Sequence, residues 1–219
     1  QQKVEARNFD IRKTLIKFDN VLNDQRYVIF SQRKNAMDSN QIFEYSNDFL
    51  YQIVEELIQL KNLKRNDPRN KDFENKLKSM LGRNLNESEL QDLITAREDI
   101  FKLKINEKFQ NSRQERIKLL GEKQSKEIEK RIFLQSIDVN WKSHIQYLEQ
   151  LRQVIGLRSY GQRDPLIEYK KEAFNLFENL LNKLKLDFIT ILMNLKVVEA
   201  PKEEEEKIAK KNFNPASFG

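Results

Sequence analysis

Apolar residues recur along this chain at alternating spacings of three and four, the mark of helices that each bury one stripe. Residues 1 to about 35 read as one continuous helix. Val4, Ile11, Leu15, Phe18, Leu22 and Ile29 fall on a seam that the polar Asn8 and Gln25 interrupt. Val21 and Val28 widen the stripe, so this helix is expected to pack against more than one neighbour. No cap precedes it and Gln1 lies inside the pattern, which predicts a piece of a longer protein. From Met37-Asp38-Ser39-Asn40 the character changes. Residues 41–63 predict a helix carrying Ile42, Phe43, Phe49, Leu50, Ile53, Val54, Leu57 and Ile58, broken by Asn66-Asp67-Pro68. A short helix around Phe73, Leu77 and Leu81 stops at Gly82, and Asn86-Glu87-Ser88-Glu89 opens another that carries Leu90, Leu93, Ile94 and Ile100. Residues 102–126 are basic and polar, anchored by Ile105, Phe109, Ile117 and Leu120. The middle of the chain is therefore expected to form a small helical lobe of its own.

Regularity then returns. Ile128, Ile132, Ile137, Trp141, Ile145, Leu148 and Ile155 line one face of a helix that ends at Gly156. After Pro165, the residues Phe174, Phe177, Leu181, Leu184, Phe188, Ile191, Leu195 and Val198 keep spacings of three and four without a miss. Two such helices joined by a short loop predict an antiparallel hairpin with a continuous apolar seam. Asp164 is placed to cap the second helix, Pro165 to occupy its first position, and Glu168 suits its positive end. Trp141 reads as core. The fold class expected is all-α: a long helix packed on a two-helix hairpin, with a separate small lobe. Residues 201–219 contain four consecutive glutamates and no apolar periodicity, and read as a mobile or extended tail.

Composition narrows the function by exclusion. The absence of cysteine removes a disulfide framework and thiolate metal sites. The apolar runs are short and broken by charges, so none reads as a membrane span or a signal peptide. The net charge of +6 is a modest excess that suits a lysine-rich solvated surface. No phosphate-cradling glycine loop occurs; Gly121-Glu122-Lys123-Gln124-Ser125 is the nearest approach. The single histidine, His144, follows Ser143 directly, and neighbouring helical residues point about 100° apart, so the two form no dyad. One imidazole supplies no multi-histidine metal site, and His144 reads as a helix-face residue. What remains is surface. Between Gly156 and Gly161–Pro165 the hairpin loop carries Arg158, Tyr160, Gln162 and Arg163, and Tyr and Arg are favoured where contacts carry energy. The alternative is a loop whose Tyr160 packs back on the hairpin.

Three blocks resemble the SecA family of preprotein translocation motors. The opening Gln2-Lys3-Val4-Glu5-Ala6-Arg7-Asn8-Phe9-Asp10-Ile11-Arg12-Lys13, continuing through Phe18-Asp19-Asn20-Val21 and Asn23-Asp24-Gln25-Arg26, is similar to the start of that family's long scaffold helix. Phe133-Leu134-Gln135-Ser136-Ile137-Asp138 with Trp141-Lys142-Ser143-His144, then Leu151-Arg152-Gln153 and Leu157-Arg158-Ser159-Tyr160-Gly161-Gln162-Arg163-Asp164-Pro165, resembles its two-helix finger. Glu168-Tyr169-Lys170 and Ala173-Phe174-Asn175-Leu176-Phe177 extend the likeness. The family usually carries Gly where Ser159 stands. The middle of the chain agrees only in position and helical character. The two nucleotide-binding domains, the preprotein cross-linking domain and the zinc-binding tail have no counterpart here.

The resemblance implies a division into a long scaffold helix (1–37), a helical wing domain (38–126), the two-helix finger of the scaffold (127–200) and a tail (201–219). It implies the scaffold, wing and finger portion of a bacterial motor that drives unfolded preproteins through the Sec channel. Its partners would be the Sec protein-conducting channel, unfolded preproteins and the motor domains of the same protein, with peripheral membrane association through the channel. A homodimer stays open, and nucleic acid is not expected. ATP and magnesium belong to the motor domains, and no cofactor or metal is expected in this chain. The location implied is the bacterial cytoplasm and the cytoplasmic face of the plasma membrane. Tyr160 would stand at the fingertip that touches the translocating polypeptide, flanked by Arg158, Gln162 and Arg163. No catalytic residue is expected.

Two rival readings follow from the residues alone. Lys and Arg density over 102–131 suits a helical nucleic-acid binder, although Glu107, Glu115, Glu122, Glu127 and Glu129 interrupt any phosphate-tracking face. A coiled-coil structural module accounts for the seams but not for the decorated loop. Because no glycine loop is present to hold phosphates, calorimetry on the isolated chain should detect no magnesium-dependent ATP binding. A micromolar affinity would overturn that expectation.

Overall fold

The computed structural model describes residues 2–38, 41–63, 70–82, 85–156 and 164–197. These hold seven helices and no strand, so the protein is all-α. In chain order they are α1 (Gln2–Asp38), α2 (Ile42–Lys61), α3 (Asn70–Leu81), α4 (Glu87–Thr95), α5 (Glu98–Leu120), α6 (Glu122–Ile155) and α7 (Pro165–Asn194). The tail at 201–219 lies outside the described residues.

The long layer is built from α1, α6 and α7. Contacts between α6 and α7 run in opposite senses, with Phe133 against Phe188, Asn140 against Asp187 and His144 against Phe177, so the two helices are antiparallel. Helix α1 lies on both. Asp19 meets Arg152, Gln25 meets His144 and Arg33 meets Asp138, an order that sets α1 antiparallel to α6. Phe18 stacks edge-on against Tyr169 of α7, ring centroids 4.7 Å apart. The wide stripe on α1 is thus used against two neighbours. Leu15 and Val28, however, are exposed, and the side chains of Val4 and Ile11 lie outside the described set.

The stripe of α7 keeps Phe177, Leu184 and Phe188 of the seam expected and shifts at Phe174 and Ile191. Phe174 and Ile191 are exposed, at 59% and 41%, while Ala173, Leu180 and Leu192 are buried beside Phe177, Leu184 and Phe188. Close approach explains the shift: the Gln25 side chain donates to the Ala173 carbonyl, a contact that a small residue on the inner face permits. On α6 the buried face reads Ser125, Glu129, Phe133, Ser136, Ile137, Asn140, Trp141, His144, Leu148, Leu151 and Ile155. It is far more polar than the isoleucine stripe expected, and Ile128, Ile132 and Ile145 are only half-buried.

The four middle helices cap one end of this layer. Phe49 of α2 sits 5.6 Å from the Phe133 ring and 6.2 Å from the Phe188 ring. A single apolar cluster runs from Ile29 and Ala36 through Leu57, Leu77, Leu93 and Phe101 to Ile137 and Phe188. The middle helices therefore share their core with the hairpin instead of closing around one of their own. Here α6 and α7 supply the aromatic surface that their stripes cover. Helix α4 ends at Thr95, and Ile100 falls on α5 with its side chain exposed. The break between α5 and α6 is Gly121, whose φ of +82° suits glycine, so the hairpin's first helix begins at Glu122. The boundary expected at 126/127 falls inside α6. Gly82 ends α3 at φ +69°, and a Cβ there would lie 1.9 Å from Asn194 Oδ1 of α7. Any larger residue would be strained at this φ and would have to displace the Asn194 side chain.

The placement of the α7 stripe is directly testable. Phe188→Ala should cost about 3–5 kcal/mol in urea unfolding, whereas Phe174→Ala should stay within about 0.5 kcal/mol. Similar losses for both would return the stripe to the expected seam.

Candidate functional site

The loop singled out by sequence joins two well-built helix ends. Helix α6 closes at Ile155 with Gly156 still in the right-handed helical region, φ −58° and ψ −28°. Helix α7 opens as its sequence requires: Asp164 is extended, its Oδ1 accepts from the Leu166 N–H at 2.8 Å, and Pro165 takes the first turn. Arg158, Ser159, Tyr160, Gln162 and Arg163 lie outside the described residues, so only the loop's attachment points are placed. Behind them Leu148, Leu151, Ile155, Tyr169 and Ala173 pack with Phe18 in a small apolar cluster.

Deeper in the hairpin stands a polar crossing. The Gln25 amide donates to the Ala173 carbonyl at 3.0 Å, and its Oε1 lies 2.7 Å from His144 Nε2. Because the amide nitrogen is already committed to a carbonyl, Oε1 must accept, and the imidazole carries its proton on Nε2. Trp141 and Phe177 flank the ring at 5.5 and 5.8 Å. Burial holds the His144 pKa down, from 6.5 to about 4. The histidine expected on a helix face is thus an inward, neutral tie between α1, α6 and α7.

A second polar node lies where the middle helices meet the hairpin. The Glu129 carboxylate is fully buried and receives Arg113 Nε and Nη2, both at 3.1 Å, in a bidentate pair. Arg116 Nη2 donates to Glu129 Oε1 at 3.0 Å, and its Nη1 donates to the Leu192 carbonyl of α7 at 2.8 Å. The Ser46 hydroxyl lies 3.0 Å from Glu129 Oε2. The Arg113 guanidinium sits between the rings of Phe43 and Phe109, at 4.4 and 4.7 Å. Two cations counted toward a basic surface therefore point inward.

Sequence reading missed Gln25, His144, Glu129, Arg113 and Arg116 as buried ties. For Arg113 the signal available was positional, since it is four residues after the anchor Phe109; Glu129 is four before Phe133, a residue the expected stripe did not include. Apolar exposure includes a group on α1. Phe9, Ile16 and Tyr27 are exposed, each nine residues from Phe18 or Gln25 and therefore on the opposite face. Among the described residues no cluster of His, Asp or Glu is arranged to hold a metal ion.

Residues 1–196 match the family model described as the SecA Wing and Scaffold domain. The chain is similar to the protein translocase subunit SecA of Pelagibacter ubique (strain HTCC1062), with 63% identity over 211 residues, or 96% of this chain and 25% of that relative. It is 38% identical over 213 residues to the protein translocase subunit SecA of Hyphomonas neptunium (strain ATCC 15444), covering 95% of this chain and 23% of the relative. It is 41% identical over 212 residues to the protein translocase subunit SecA 1 of Nitrobacter hamburgensis (strain DSM 10229 / NCIMB 13809 / X14), covering 95% and 22% respectively. The chain spans about a quarter of the length of the curated relatives it matches.

The polar crossing predicts a pH dependence. The folded His144 pKa lies below its ordinary 6.5, so the unfolded chain binds the proton first as pH falls. Stability from this group is complete above pH 6.5 and declines as pH drops toward about 4. With no other histidine in the chain, the decline between pH 6.5 and about 5 belongs chiefly to His144. Urea unfolding should show that slope in the natural chain, and His144→Gln should flatten it.

Proposed function

The chain belongs to the SecA wing and scaffold domain family, and from that membership we propose that it serves as the scaffold, wing and finger portion of a protein translocase. The observation that carries the reading is the family match over residues 1–196. The relatives' printed names, protein translocase subunit SecA, supply the activity. In this reading the complete protein moves unfolded preproteins through the Sec channel, driven by ATP and magnesium held in domains outside this chain. It works at the cytoplasmic face of the plasma membrane and reaches the membrane through the channel. Consistent with peripheral association, no helix among the described residues is long and apolar enough to cross a membrane.

Each part of the chain takes a role within that reading. Helix α1 is the spine on which the motor domains dock, and the exposed Phe9, Ile16 and Tyr27 on its outer face suit a covered surface. The α6–α7 hairpin is the finger that enters the mouth of the channel. Arg158, Tyr160, Gln162 and Arg163 form the fingertip that contacts the polypeptide. A rigid amphipathic ring at Tyr160 grips varied sequences through apolar contact and a hydroxyl. The nucleic-acid reading is weakened, because Arg113 and Arg116 are consumed by Glu129, and Lys102, Lys108 and Lys126 pair with Glu55, Glu89 and Glu122.

The fingertip assignment is tested in the full-length motor. Tyr160→Gly and Tyr160→Ser should depress transport of a preprotein into channel-bearing vesicles while leaving the melting temperature near that of the parent. Tyr160→Phe or another bulky substitution should retain more transport. Normal transport by the Gly variant, or a melting loss large enough to account for the defect, would remove the fingertip role.

A further inference from the structure

The three long helices do not share one continuous core. Their apolar contacts form two clusters. The larger includes Ile29 of α1, Phe133, Ile137 and Trp141 of α6, and Phe177 to Leu192 of α7. The smaller has Phe18 of α1, Leu148, Leu151 and Ile155 of α6, and Tyr169 and Ala173 of α7. On every helix the Gln25–His144–Ala173 crossing falls between them. It lies between Phe18 and Ile29 on α1 and between Trp141 and Leu148 on α6, and it marks the last small-cluster residue on α7. Among the half-buried hydrophobics described, only Leu22 packs against both clusters.

We propose that the loop end of this layer opens and closes as a cooperative unit distinct from the base, with the Gln25–His144–Ala173 crossing as its boundary. This unit comprises α1 up to about Leu22, the last turns of α6 and the first turns of α7. Its apolar support is one six-residue cluster, whereas the base combines all seven helices. The ion pair across it, Arg152 to Asp19 at 3.0 Å, is partly exposed and contributes little. The described side chains of α1 before Phe18, including Glu5, Arg12, Leu15 and Lys17, are all exposed, so none of them is buried against the hairpin. At the boundary, a polar crossing satisfies its hydrogen bonds without extending apolar contact from one cluster to the other, and cooperativity weakens where shared packing ends. The inference stands on the packing and does not depend on the transport reading.

Hydrogen exchange with mass spectrometry on the full chain, across low urea concentrations, reads the two units separately. Amides near Phe18, near Leu148–Leu151 and near Tyr169–Ala173 should share one urea dependence, smaller than that of the global transition. Their opening should be at least about tenfold more populated than the opening that releases Phe133–Ile137 and Phe188–Leu192. Graded exchange confined to chain ends, without a shared urea dependence, would instead be fraying and would overturn the proposal. Phe18→Ala should speed exchange of the loop-end amides about tenfold or more and leave the base amides unchanged. Equal acceleration at the base would sink it. Replacing both members of the crossing, Gln25→Leu with His144→Leu, should join the clusters and narrow the gap in exchange between the two units. An unchanged gap would show that the crossing is not the boundary.

Discussion

A carboxylate placed in an apolar core must be neutralised where it stands, and Glu129 meets that demand with groups from two other helices. Arg113 and Arg116 come from α5 and the Ser46 hydroxyl from α2, while Arg116 reaches on to the last turn of α7. Apolar stripes tolerate small slides of one helix along another, because one methyl contact substitutes for the next. A bidentate pair does not, since a shift of one residue leaves a buried charge unmatched, and removing a partner from such a pair costs about 3–5 kcal/mol. The registers of α2, α5, α6 and α7 are therefore fixed together at this point. Phe43 and Phe109 close over the guanidinium and keep water from loosening it.

The consequence is an uneven molecule. Around Glu129 the packing is aromatic and continuous, with Phe49, Phe133 and Phe188 within ring contact of one another. Toward the loop the core thins to a single small cluster beyond the Gln25–His144 crossing. A long apolar seam would make the hairpin a uniformly stiff rod. The polar face of α6 makes it a rod with a firm root and a lighter end.

How much of this was legible depends on what each feature requires of the sequence. Elements bounded by local chemistry could be read directly: Gly82 ends α3, Asn86 precedes α4, and Asp164-Pro165 opens α7 with the cap in place. Features set by tertiary contact could not. Spacing put Phe174 on the seam and left Ala173 off it. Yet the close approach of α1 to the α7 backbone reverses the two. Glu129, Arg113 and Arg116 sit among Lys and Glu residues that are truly exposed, and nothing in the local alternation of charge separates them. Only phase with Phe133 and Phe109 does, and phase becomes decisive when both stripes are known to face one core. The fingertip residues gain no test from the fold, since Arg158, Tyr160, Gln162 and Arg163 lie outside the described residues.

The polar residues on the inner faces also bear on how such a hairpin would work under the proposed reading. A finger that contacts many polypeptides receives loads of varying direction at its loop. Loads enter through Gly156 and Asp164, and the first packing they meet is the small cluster around Phe18, Tyr169 and Ile155. Displacement that exceeds what this cluster absorbs reaches the crossing at His144, where α1 is tied to both finger helices at once. Because Gln25 bonds α6 through the imidazole and α7 through a backbone carbonyl, motion of either finger helix is felt by α1. The same helix carries Phe9, Ile16 and Tyr27 on its outer face, the surface assigned to the motor domains. The crossing thus lies on the contact path between the loop and that surface. Its hydrogen bonds are directional where the apolar contacts on either side are not, so they constrain the relative position of the three helices more narrowly at this point.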